Sequence, residues 1–66
     1  MELLVNGASR QIAEGATILQ LLIETARTTD GVAVAVDGEI VHRADWPQCV
    51  LTGGQQVELI TALQGG

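Results

Sequence analysis

Hydrophobic and polar positions follow two periods along this chain. From Met1 to Val5 the period is two, with Met1, Leu3 and Val5 on one face and Glu2 and Leu4 on the other, the pattern of a half-buried strand. Asn6-Gly7 follows, and both residues tolerate the positive φ of a tight hairpin turn. Ala8 to Ile12 reads as the returning strand, polar enough at Ser9, Arg10 and Gln11 to lie at a sheet edge. After Glu14-Gly15 the period changes. Thr17 and Gln20 fit a capping box, and Ile18, Leu21, Leu22, Thr25 and Ala26 recur at the spacing of one helical face. The helix is expected to end near Arg27, because Thr28-Thr29-Asp30-Gly31 is poor in helix formers.

The second half returns to period two. Val32 to Val36 alternates valine and alanine, so a third strand carries its β-branched residues on one face and only alanines on the other. Asp37-Gly38 marks a second tight turn, and Glu39-Ile40-Val41 a short fourth strand. His42 to Val50 is irregular. Pro47 blocks a ladder there, and Trp46 is expected to fold over a core edge as an anchor. Thr52-Gly53-Gly54-Gln55 turns the chain into a fifth strand, Gln56 to Thr61.

This order predicts an α+β fold, a mixed sheet of about five strands packed on one helix. The expected core is Leu3, Val5, Ile12, Ile18, Leu21, Leu22, Val34, Val36, Val41, Leu51, Val57 and Leu59. By alternation Leu4, Ala33, Ala35 and Ile60 point away from the helix. So apolar an outer face is a candidate for partner binding, with plain edge exposure as the alternative. Ala62 and Leu63, just past the last strand, are expected to join it.

Composition narrows the function. Sixty-six residues are expected to form one domain, 1–66, burying only about 60% of the extended surface. A small-molecule pocket of ~300–1,000 Å³ would hollow out such a core, so chemistry is expected outside the globule. Hydrophobic residues at 47% and charged residues at 17% exclude a disordered composition. The longest apolar run falls far short of a membrane span. The start of the chain has neither a basic n-region nor an apolar h-region, so a cytoplasmic protein is expected. The single Cys49 agrees with a reducing compartment.

The net charge is −5, with three arginines and no lysine. Nucleic acid is an unfavourable partner for such a chain. The charge serves plain solubility or steers the chain toward a basic docking face. Without lysine there is no side-chain amine for isopeptide attachment or Schiff-base chemistry. His42 has no second metal-type ligand at a recognisable spacing. Cys49 has only Arg43 as a nearby cation and reads as inert. Asp37 and Glu39 flank a turn and solvate it. No bound metal or cofactor is expected.

The sequence finishes in Ala62-Leu63-Gln64-Gly65-Gly66. Glycine loses more backbone freedom on ordering than any other residue, so residues 62–66 are expected to be a mobile tail. One reading is a frayed end. The other is an arm that presents the Gly66 carboxylate to another protein's active site, reaching at most roughly 17 Å.

The whole chain resembles the β-grasp (ubiquitin-like) fold and, more narrowly, the ThiS family of thiamine-biosynthesis sulfur carriers. The resemblance is carried by Val5-Asn6-Gly7 and by Thr17-Ile18 with Leu21-Leu22. Further along it is carried by Val32 to Val41 with Arg43 and Trp46, and most specifically by Val57 to Gly66. Asp37, His42, Gln55 and Leu63 depart from the usual asparagine, proline, aspartate and valine. The resemblance implies a protein co-substrate rather than an enzyme. An adenylating enzyme of the ubiquitin-activating type would use ATP and Mg²⁺ to activate the Gly66 carboxylate. A persulfide-carrying sulfur donor would then convert it to a thiocarboxylate, and thiazole synthase would take the sulfur. Gly65 would keep the arm thin enough to enter a channel. Two alternatives stay open: a β-grasp sulfur carrier for molybdopterin, cysteine or siderophore-like pathways, and a β-grasp interaction module with a chemically silent end.

Overall fold

The computed structural model describes residues 1–25 and 30–61. The expected helix end at Ala26 and Arg27, and the expectations placed on Ala62, Leu63, Gly65 and Gly66, lie outside the described residues. Among the described residues, five strands and one α-helix follow in the expected order: β1 (Glu2–Val5), β2 (Ala8–Gln11), α1 (Ile18–Thr25), β3 (Val32–Val36), β4 (Glu39–Val41) and β5 (Gln56–Thr61). A 3₁₀ turn at Arg43–Asp45 lies within the irregular stretch.

The strands form one sheet in the order β2-β1-β5-β3-β4. The two outer hairpins are antiparallel, and β5 enters between them, parallel to β1 and antiparallel to β3. This mixed sheet over one helix is a β-grasp. Both hairpin turns are two residues long, pairing Val5 with Ala8 and Val36 with Glu39. Their first residues, Asn6 and Asp37, have φ of 52° and 49°, a region that asparagine and aspartate enter more readily than other non-glycine residues.

The helix begins where the sequence places it. Gln20 N–H donates to Thr17 Oγ1 at 3.2 Å, and Thr17 N–H donates to Gln20 Oε1 at 2.9 Å, which completes the capping box. The two remaining N–H groups of the first turn are met by the irregular stretch. Ile18 N–H donates to the Cys49 carbonyl at 3.0 Å and Leu19 N–H to the Trp46 carbonyl at 3.4 Å. The segment from Trp46 to Leu51 therefore serves as the helix's N-terminal partner, satisfying donors that a helix leaves orphaned. Leu51 N–H closes the arrangement on the Ala16 carbonyl at 2.8 Å.

The core lies between the sheet and α1. Leu3, Ile18, Leu21, Leu22, Val34, Leu51 and Val57 are at most 1% exposed, with Val5 and Ile12 beside them. Val36, Val41 and Leu59, expected in the core, are only partly buried against it. Trp46 differs more. It is not an anchor at an edge but a fully enclosed member of the core, and its indole N–H donates to the Val41 carbonyl at 3.0 Å. The reason is width. A helix about 10–12 Å across with its side chains cannot cover five strands spaced ~4.8 Å apart. Trp46 covers the sheet toward β4. Ala16, which no periodicity marks, is buried with it.

Candidate functional site

The side of the sheet turned away from α1 carries the candidate partner-binding residues. Register places Ala33 opposite Ile60 and Ala35 opposite Glu58 across the β3–β5 ladder, with Ile40 of β4 opposite Ala35 on its other side. The two alanines therefore floor a shallow trough along β3. Ile40 walls it on one side, and Ile60 with Glu58 on the other. Ile40 is 62% exposed and Ile60 53%. Leu4 stands further along the same face, paired with Ser9 and Gln56. It lies about 13 Å from Ile60 along the strand direction, four residues at ~3.3 Å each.

Leu4, Ala33 and Ile60 are exposed on this face, as alternation required. Ala35 is corrected. It lies on the outer face, yet only 4% of it is accessible, because the longer side chains of Ile40 and Glu58 stand beside its single methyl. It sets the depth of the trough and offers little contact surface itself. Ile40 was not among the residues expected here. The signal was present, since β4 alternates and Val41 packs on the core, which sends Ile40 outward.

The rim of the face is acidic. Glu58 stands within it, and Glu2 lies at its β1 end, accepting a hydrogen bond from the Ser9 hydroxyl. On the helix side an open cleft of about 290 Å³ lies between Thr25 of α1 and Leu59 and Thr61 of β5, with Asn6 and Arg10 at its mouth. A second open cleft, about 390 Å³, runs between Glu14-Gly15 and Ile23-Glu24. Among the described residues no group of three His, Cys, Asp or Glu side chains converges on a metal position, and no helix is long and apolar enough to cross a membrane. Cys49 is half-buried and unpaired, packed against the core.

The described chain reaches Thr61 in the central strand, where Thr61 pairs with Val32 of β3. The arrangement can present a docking face beside the end of the central strand.

Comparison with known proteins places this geometry. The model of the ThiS family matches residues 3–66. The sulfur carrier protein ThiS of Escherichia coli (strain K12) is 33% identical over 66 residues, covering 100% of both chains. A crystal structure of the thiamine biosynthesis protein (ThiS) from Geobacter metallireducens aligns with a TM-score of 0.82 at 28% identity, again over 100% of each chain. An NMR solution structure of a thiamine biosynthesis protein from the same organism aligns with a TM-score of 0.80 at 27% identity, over 100% of this chain and 88% of that one.

Proposed function

The chain belongs to the ThiS family and is a sulfur carrier of thiamine biosynthesis, not an enzyme; we propose that the group it carries sulfur on is the carboxylate of Gly66. In this reading an adenylating enzyme joins that carboxylate to AMP from ATP and releases pyrophosphate. A persulfide's outer sulfur then attacks the acyl carbon and AMP leaves, giving an acyl disulfide. A thiolate attacks the donor's sulfur in that S–S bond, forms a new disulfide with it and releases the acyl group as the thiocarboxylate. The resulting thiocarboxylate passes its sulfur to thiazole synthase.

The chemistry accounts for the residue types. A carboxylate resists nucleophiles, so it needs a better leaving group before sulfur can attack. The activating enzyme supplies the positioning and charge neutralisation. A Cβ at Gly66 would crowd the approach to its carbonyl carbon. A side chain at Gly65 would widen an arm that enters a channel. The trough between Ile40 and Ile60, floored by Ala33 and Ala35, serves as the docking face, and Ala62 and Leu63 are assigned to the same interface. The acidic rim suits a partner with basic residues around an apolar centre.

The observation that carries this reading is the full-length match to a sulfur carrier of the same length, which runs through the final Gly-Gly. Intact-mass spectrometry tests it. After incubation with the activating enzyme, ATP and a sulfur source, the chain should gain about 16 Da, oxygen replaced by sulfur. An unchanged mass would mark a silent interaction module instead.

A further inference from the structure

Strand β1 is too short to hold β5 along its length. Its register with β5 covers Leu4 against Gln56 and Val5 against Val57, and Asn6 N–H adds one bond to the Val57 carbonyl at 2.9 Å. There the main chain turns away, with φ of 52° at Asn6 and 83° at Gly7. The next main-chain groups of β5 on that side belong to Leu59, and the side chain of Asn6 meets both. Leu59 N–H donates to Asn6 Oδ1 at 2.8 Å, and Asn6 Nδ2 donates to the Leu59 carbonyl at 3.3 Å. The amide stands in for one more residue of β1.

The second hairpin explains why the residue is asparagine. Asp37 also has positive φ and also grips β5, at Gln56. Its own N–H donates to the Gln56 carbonyl at 2.8 Å, and its carboxylate accepts from Gln56 N–H at 2.9 Å. An acceptor suffices there. At Asn6 the backbone N–H is already spent on Val57, so the side chain must both donate and accept. Glycine would make the turn without the grip, and aspartate would supply acceptors only.

We infer that Asn6, through its paired hydrogen bonds to Leu59, is a positioning residue for sulfur loading: it pins the end of β5 so that the arm leaves the sheet from a fixed base. This rests on the reading of Gly66 as the reacting terminus. With the grip in place, β3 holds β5 through Thr61 on one side and Asn6 holds it at Leu59 on the other. Without it, the last residues of β5 are paired on one side only. The arm then gains length, and its end searches a larger volume before it enters the activating enzyme. That loss is restored on binding, so it falls on KM and leaves kcat alone.

The test is pyrophosphate release by the activating enzyme, with the full chain as varied substrate, alongside hydrogen exchange at the Leu59 amide. In Asn6→Gly, Leu59 exchange should accelerate and KM should rise roughly threefold to tenfold with kcat unchanged. Asn6→Asp, which keeps the acceptor, should fall between that and the wild type. A merely structural role would lower the melting temperature without moving KM at a temperature where both chains are folded. A wild-type KM in Asn6→Gly overturns the inference, and so does a raised KM with Leu59 exchange unchanged, since Asn6 would then be a contact residue. If Asn6→Gly does not fold, Asn6→Asp decides by the same two readouts. A wild-type chain that yields no pyrophosphate overturns the adenylation reading, and the inference falls with it. A wild-type chain that turns over while the variants match it overturns the inference alone.

Discussion

Ala33 stands directly opposite Ile60 in the β3–β5 ladder, and its single methyl leaves the isoleucine 53% exposed on a central strand. A larger cross-strand partner would cover it. Ile60 is thus an apolar side chain held rigidly in the open, one residue before the described chain ends. Replacing it by aspartate should weaken binding to the activating enzyme by roughly tenfold to a hundredfold, the range of a central interface residue. Folding should lose only about 1 kcal/mol, from strand propensity. Isothermal titration calorimetry and a thermal melt measure the two effects, and equal binding by calorimetry would remove Ile60 from the interface.

Deletion of Gly66 separates the arm from the body. The truncated chain should melt within about 2 °C of the full one, because a terminal residue past the last strand contributes little to folding. It should gain no sulfur under conditions that load the full chain. Loading that survives the deletion, read by intact mass, would mean that another group carries the sulfur.

Association with the activating enzyme should slow as salt rises. The chain carries a net charge of −5, and an acidic surface that steers toward a basic face loses its long-range pull as the Debye length shrinks from ~10 Å at 0.1 M to ~3 Å at 1 M. Stopped-flow rates across that range should fall severalfold. Flat rates would leave the charge with solubility alone.

Trp46 tests the core. Trp46→Phe removes the hydrogen bond to the Val41 carbonyl and part of a ring system that is only 2% exposed, and should cost about 1–3 kcal/mol. Trp46→Ala should cost about 3–5 kcal/mol, comparable with the whole stability expected of so small a chain. Urea denaturation followed by circular dichroism reads both. A wild-type midpoint for Trp46→Phe would show that the indole N–H contributes nothing.

The elements were legible because their causes are local. The hairpin turns at Asn6-Gly7 and Asp37-Gly38 need positive φ, and the residue types that adopt it are visible in the chain. The Thr17–Gln20 capping box needs only three residues of separation. The alternation that put Leu4, Ala33 and Ile60 on the outer face is a property of any strand. Ile40 was equally readable by that rule, and only the shortness of β4 hid it. Ala35 was read onto the right face but not at the right depth, because its accessibility depends on Ile40 and Glu58, which belong to two other strands.

By itself, then, the order of residues determined the element types, the turn chemistry, the helix start and the identity of the two faces, all of which rest on interactions within a few positions along the backbone. The tertiary structure alone decided that β5 enters between β1 and β3, that Trp46 is enclosed rather than peripheral, and that the Asn6 amide reaches Leu59, 53 positions away. These depend on which strands become neighbours. A turn residue has the same local preference whether or not a distant strand comes to lie beside it, so only the packed sheet could show that the Asn6 side chain holds β5 at Leu59.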